Sequence, residues 1–159
     1  MTENRLLRRI DITSADEMYE KCLSASDTAD IIIMAAAVAD FKPSSVSASK
    51  IKKSNSRLNI ELIPTHDILA ELGKIKKTGQ ILVGFALETD QEEDNTRKKL
   101  EGKNLDMVVL NSLRDIGAGF KSPTNKISVL FKSGDFQRFP LKPKKEVAID
   151  IIDCIESII

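Results

Sequence analysis

Two lysine groups, one carboxylate and one histidine carry the chemistry that this sequence could perform. Asp40 follows eleven residues, 29–39, of which only Asp30 is polar. The next twelve, Lys42 to Lys53, hold four lysines (Lys42, Lys50, Lys52, Lys53) and no acid. A carboxylate at the end of an apolar strand can accept a hydrogen bond from a sugar hydroxyl or a base amine. A serine-rich cationic segment beside it suits a polyanion. In open α/β sheets, ligands sit beyond the carboxyl ends of the strands. The plainer readings are a solvated strand-end acid and an ordinary soluble loop.

Three further groups point the same way. His66-Asp67-Ile68-Leu69 opens a helix, whose free N–H groups favour a phosphate, although every helix has such an end. Gly84-Phe85 ends an apolar strand, where the glycine would let backbone approach a ligand and Phe85 would offer a ring, or simply join the core. Lys99 and Lys103 share one helical face at i, i+4, serving either the helix dipole or a phosphate chain.

Stepping outward, the elements that hold these residues alternate between strand and helix. Ser14-Ala-Asp-Glu17 reads as a capping box opening a helix with Ala15, Met18, Tyr19, Cys22 and Leu23 inward. Residues 29–39 read as a strand buried on both faces, and 42–56 as a flap. Leu58, Ile60 and Leu62 alternate as a half-buried strand ending at Pro64. A helix from 67 to about 76 follows, then a strand at 81–83 that ends in Gly84-Phe85. Thr89-Asp-Gln-Glu92 caps a charged helix to about Lys103, and 106–110 form a third buried strand. An irregular loop spans 111–124. Segments 126–132 and 136–140 flank Ser133-Gly134-Asp135 as a hairpin, and Pro143 starts a last helix with Val147, Ile151, Ile155 and Ile159 in a stripe. The pattern predicts an α/β fold, a parallel sheet with an appended antiparallel hairpin, in a single domain over 1–159.

Composition narrows the partners. The net charge is zero, so nothing pulls the whole surface toward nucleic acid or an anionic membrane. The longest apolar run is far shorter than the roughly 20 residues that span a bilayer. One histidine and two cysteines without a CxxC leave no zinc cluster, and no metal-binding residue is assigned. Cys22 and Cys154 are expected to be packed and reduced, in a cytoplasmic protein. Gly117-Ala-Gly-Phe120 follows no strand-to-helix turn and is no dinucleotide fingerprint.

Taken in order, the motifs Ala36-Ala-Val-Ala-Asp40-Phe41, Lys50-Ile-Lys-Lys53, Asp67-Ile68-Leu69 and Gly84-Phe85-Ala-Leu-Glu88-Thr89 resemble the phosphopantothenoylcysteine synthetase (phosphopantothenate–cysteine ligase) domain of the bacterial bifunctional coenzyme A biosynthesis flavoprotein. Thr13-Ser-Ala-Asp-Glu-Met18, Lys99, Lys103-Asn104-Leu105-Asp106, Asn111, Gly119-Phe120 and Asn125 extend the likeness from about Ile10 to about Ile155. The resemblance implies a Rossmann-like three-layer fold that dimerises. It implies a CTP- and Mg²⁺-dependent ligase that activates 4′-phosphopantothenate as an acyl-cytidylate, joins it to cysteine, and releases CMP and pyrophosphate.

By motif, Ala36 and Asp40 would hold the nucleoside and Lys50 would ride a closing flap. Phe85 would line the pocket, and Lys99 and Lys103 would neutralise the triphosphate. Segment 66–69 matches the family's Pro-Asp-Ile-Val, with His66 in place of proline and Leu69 in place of valine. The family's glycine-rich N-terminal unit, with an asparagine that stabilises the intermediate, is not found here, nor is its flavin-binding decarboxylase domain. The expectation is therefore a C-terminal portion of the synthetase domain, without flavin and with little ligase activity alone. The alternative is a non-catalytic nucleotide-binding or dimerisation module of the same fold.

Overall fold

The computed structural model describes residues 6–53, 57–88, 92–112 and 122–159. The chain runs α1 (Ala15–Ser26), β1 (Ile31–Met34), β2 (Phe41–Pro43), β3 (Leu62–Pro64), α2 (Ile68–Ile75), β4 (Ile81–Glu88), α3 (Glu92–Gly102), β5 (Met107–Ser112), β6 (Thr124–Asn125), β7 (Ile127–Phe131), β8 (Phe136–Arg138), β9 (Lys142–Pro143) and α4 (Lys144–Glu156). A five-stranded sheet in the order β1-β4-β5-β7-β8 forms the middle layer. Its first three strands are parallel, with Ile33 opposite Val83 and Val83 opposite Met107. The expected antiparallel hairpin is β7–β8. It extends the same sheet, antiparallel to β5.

β4 and β5 are apolar at successive positions because both faces of the sheet are covered. Ile81, Val83, Met107, Val109, Ile127 and Val129 pack under α4 through Val147, Ile151, Cys154 and Ile155. Leu82, Val108, Leu110 and Leu130 pack on the other face with Ile68 and Leu72 of α2, Leu100 of α3, and Leu105. α1 adds Met18, Tyr19, Cys22 and Leu23 to that second layer.

Three expectations need correction. The apolar run 29–39 is not one strand buried on both faces. β1 stops at Met34 and is an edge strand, with Ile31 40% and Ile33 41% exposed. Its partner β4 meets it only from Ile81 to Gly84, and the small residues 35–39 leave the sheet. The expected strand from Leu58 shrinks to Leu62–Pro64, and Leu58, Ile60 and Leu62 are all exposed. It pairs only with β2, and a two-stranded ribbon offers its apolar side no core to face. Pro143 is the N-cap rather than the first helical residue. Its extended backbone pairs with Thr124, and α4 opens at Lys144.

Local details follow the sequence closely. Ser14 Oγ accepts from the Glu17 amide at 3.1 Å, as a capping box requires. Glu17 returns the contact one residue earlier than usual, accepting from the Thr13 amide at 2.6 Å and hydroxyl at 2.8 Å. α3 ends in a Schellman motif: Leu105 N–H donates to Leu100 O and Asn104 N–H to Glu101 O, while Asn104 takes φ 51°. The Thr89 end of the second capping box and the Gly117–Phe120 segment lie outside the described residues.

A candidate nucleotide cleft at the strand ends

A cleft of about 430 Å³ opens at the carboxyl ends of β1 and β4. Its walls are Met34 to Asp40, Thr65 to Leu69, Phe85 to Leu87, Lys99 and Lys103. Each wall has a local cause. The alanine-rich run 35–39 leaves β1 without bulky side chains, so the backbone itself forms one side. Thr65 ties this run to the start of α2, donating its amide to Asp40 O at 2.9 Å and its hydroxyl to Ala39 O at 2.6 Å. The strand-end loop and the helix start are thus tied together.

Asp67 caps α2, its Oδ1 accepting from the Ala70 amide at 3.0 Å. Its other oxygen lies 2.7 Å from Lys103 Nζ. Burial alone would raise the Asp67 pKa. The bonds from Lys103 and the Ala70 amide, with Lys99 nearby, overcome it and hold the carboxyl below its ordinary value. Lys99 Nζ donates to Phe85 O at 3.4 Å. The two lysines are therefore parked on protein acceptors at the cleft wall, where an incoming anion could take them over.

Nine of the ten residues expected from the sequence meet here: Ala36, Asp40, His66, Asp67, Ile68, Leu69, Phe85, Lys99 and Lys103. Ile68 is buried. Lys50 is exposed, in a stretch without helix or strand, and does not line the cleft. Lys42 also leaves the free cationic group, since it pairs with Asp16 of α1 and anchors the ribbon. Gly84 does not admit a ligand as its sequence position suggested. It is buried, and an added methyl would meet Leu69 and Leu105 side chains at 2.8 Å each. Glycine there lets α2 and the end of α3 close onto the sheet.

Sequence reasoning missed Tyr19 and Thr65, which shape the cleft through His66 and Ala39. Neither has a motif; Thr65 could have been suspected only from its place between an extended Pro64 and a helix cap. A second cleft, of about 520 Å³, lies at the opposite end of the strands. It is the larger, but its principal charges satisfy one another. Asp106 accepts Lys76 Nζ at 2.8 Å on both oxygens and the Leu82 amide at 2.8 Å. Among the described residues, no group of three or more His, Cys, Asp or Glu could hold a metal ion. No helix among the described residues is long and apolar enough to cross a membrane.

A three-layer α/β domain with small-residue walls, a helix N-terminus and two lysines beyond the ends of parallel strands forms a cleft whose chemistry suits an anionic ligand. The chain belongs to the family of the DNA/pantothenate metabolism flavoprotein C-terminal domain, whose model matches residues 1–159. It is 54% identical over 150 residues to a cysteine/cysteine sulfinic acid decarboxylase from an unknown prokaryotic organism, covering 94% of this chain and 42% of that protein. It is 45% identical over 149 residues to the coenzyme A biosynthesis bifunctional protein CoaBC of Bacillus subtilis (strain 168), covering 94% of this chain and 36% of the relative. The chain thus spans less than half the length of either relative.

Among solved structures, the C-terminal domain of a CoaBC superposes with a TM-score of 0.76 at 35% identity, covering 94% of this chain and 64% of that one. A Cab2 variant in complex with phosphopantothenate-cysteine shares the fold, with a TM-score of 0.63 at 21% identity, covering 82% of this chain and 46% of that one.

Proposed function

We propose that the chain forms the nucleotide-binding part of a CTP-dependent phosphopantothenate–cysteine ligase of coenzyme A biosynthesis. The observation that carries this reading is the convergence of Lys99, Lys103, the N-terminus of α2 and Asp40 on one cleft. In the reaction, the 4′-phosphopantothenate carboxylate attacks the α-phosphate of CTP, forming the acyl-cytidylate and expelling pyrophosphate. The amine of cysteine then attacks the acyl carbon, giving 4′-phosphopantothenoylcysteine and CMP.

The residues of this chain act mainly on the nucleotide. Ala36 presents backbone to the nucleoside, and Asp40 accepts from its hydroxyl or amine donors. Lys99 and Lys103 exchange Phe85 O and Asp67 for phosphate oxygens, stabilising charge that builds on the departing pyrophosphate. Lys50 comes over the cleft when its segment closes, which excludes water from a hydrolysable intermediate. Mg²⁺ fits as an ion carried by the triphosphate, since the cleft offers few carboxylates and Asp67 is engaged by Lys103. The whole protein is proposed to act in the cytoplasm as a homodimer. Its contact uses the exposed Phe41, Leu58 and Leu62 of the ribbon region, and a flavin-binding decarboxylase domain is the natural neighbour.

Calorimetry with CTP, ATP and NAD in the presence of Mg²⁺ tests the reading. CTP should bind, and replacing Lys99 and Lys103 together by alanine should weaken it by about tenfold or more, the loss of two charge-assisted contacts. No detectable binding of any of the three would leave only an assembly module.

A further inference from the structure

The chain has one tyrosine and one histidine, and the fold stacks them on each other. The Tyr19 and His66 rings are 16° from parallel, with centroids 4.3 Å apart. Tyr19 is half-buried on α1, packed against the core cluster beside Met18, Cys22 and Leu23. His66 is exposed and forms part of the cleft wall. Its backbone is fixed on both sides, by Thr65 bonded to Ala39 and Asp40, and by Asp67 as the cap of α2.

A solvent-facing side chain ordinarily samples several rotamers, and one whose ring is covered by a core-anchored ring has far fewer. This histidine is therefore preorganised without being buried, which packing does not require. The stack covers one face of the imidazole and leaves its nitrogens and its other face available. The charged neighbours on the same wall are Lys99, Lys103 and Asp67, with Asp40 on the strand-end loop. Asp67 is held by Lys103 and the Ala70 amide, so this end of the cleft favours an anion over an apolar base.

Resting on the nucleotide reading, we infer that His66 contacts the phosphate chain through an imidazole N–H and that Tyr19 is the positioning residue that holds it there. The same stack would serve a nucleobase platform only if the base, and not the phosphates, lay against His66.

The single histidine makes both imidazole C–H resonances unambiguous, and with no tryptophan present Tyr19 dominates the intrinsic fluorescence. Millimolar titrations of the full chain with CTP, tripolyphosphate and cytidine would be followed by both signals. CTP and tripolyphosphate should each shift the His66 resonance and change the Tyr19 emission, and cytidine should move neither. His66→Ala, a surface change, should weaken CTP by about tenfold, the loss of one hydrogen bond to a charged group. Tyr19→Leu should weaken it less, and Tyr19→Phe, which keeps the stack, should restore it. A His66 resonance that moves with cytidine as far as with CTP would overturn the inference, as would unchanged CTP affinity in His66→Ala. Absence of CTP binding to the unsubstituted chain would instead sink the nucleotide reading itself, and this inference with it.

Discussion

Lys103 and Asp67 join the two helix ends that frame the cleft. Lys103 is the C-cap of α3, set in place by the turn through Asn104, and its Nζ lies 2.7 Å from the carboxylate that caps α2. One ion pair therefore fixes the spacing between a helix C-terminus and a helix N-terminus, and with it the position of the cationic wall.

Asp67→Asn keeps the cap acceptor and removes the charge. The carboxyl of Asp67 is held below its ordinary value, so the folded state binds fewer protons here than the unfolded chain. Its contribution is complete above the unfolded pKa, near 4, and is lost as pH falls through the folded value. The pair is half-exposed, and screening limits the cost at pH 7 to about 0.5 kcal/mol. Urea midpoints should differ between the two proteins at pH 7 and converge at pH 2–3. An equal gap at both pH values would remove the ion pair from the explanation.

Gly73 sits inside α2, where the backbone of α3's last turn crosses it. A methyl group there would lie 1.9 Å from the Lys103 carbonyl oxygen, and Asn104 Nδ2 already donates to Gly73 O at 3.0 Å. Backbone cannot rotate aside as a side chain can. Gly73→Ala should cost about 1–3 kcal/mol, as overpacking does, against the small gain that alanine brings to an open helix. It should also displace Lys103, so nucleotide affinity should fall together with stability. A variant as stable as the parent would show that the two helices do not approach as closely as described.

Both cysteine thiols are held above their ordinary pKa in the folded chain. Burial raises the Cys22 thiol, and burial followed by Asp150 and Asp153 raises that of Cys154. At pH 8 the thiolate fraction should be below that of a free thiol, and alkylation by iodoacetamide should be several-fold slower than in urea-unfolded protein. The rate should climb only as pH passes the ordinary thiol range. Rapid modification of either residue at pH 7 would contradict the packing assigned to it.

The helices and the central parallel strands were legible because their patterns answer to burial on known faces. The apolar runs of β4 and β5 and the stripe of α4 match the two sides of one sheet. The lining of the cleft was legible too, since Asp40 leads into β2, His66-Asp67 open α2 and Lys99/Lys103 lie in the last turn of α3 and its cap, positions that the topology gathers in space. What stayed hidden was which apolar residues had a partner. Ile31 and Ile33 have the same residue types as the core of β4, and nothing local marks β1 as an edge. Leu58, Ile60 and Leu62 alternate as a buried strand does, yet they belong to a ribbon with nothing above it. The Tyr19–His66 stack, like the Gly73–Lys103 approach, joins residues whose separation along the chain carries no periodic signal.

The clasp formed by Thr65 with Ala39 and Asp40 closes the ribbon at its root, so residues 41–64 leave and re-enter the domain at adjacent points. Lengthening a loop already closed in this way costs only about 0.6 kcal/mol per doubling. The ribbon can therefore be treated as a cassette. A fluorescent label or an inserted peptide between 44 and 53 should leave the domain folded, and would turn any swing of Lys50 toward the cleft into a directly visible signal.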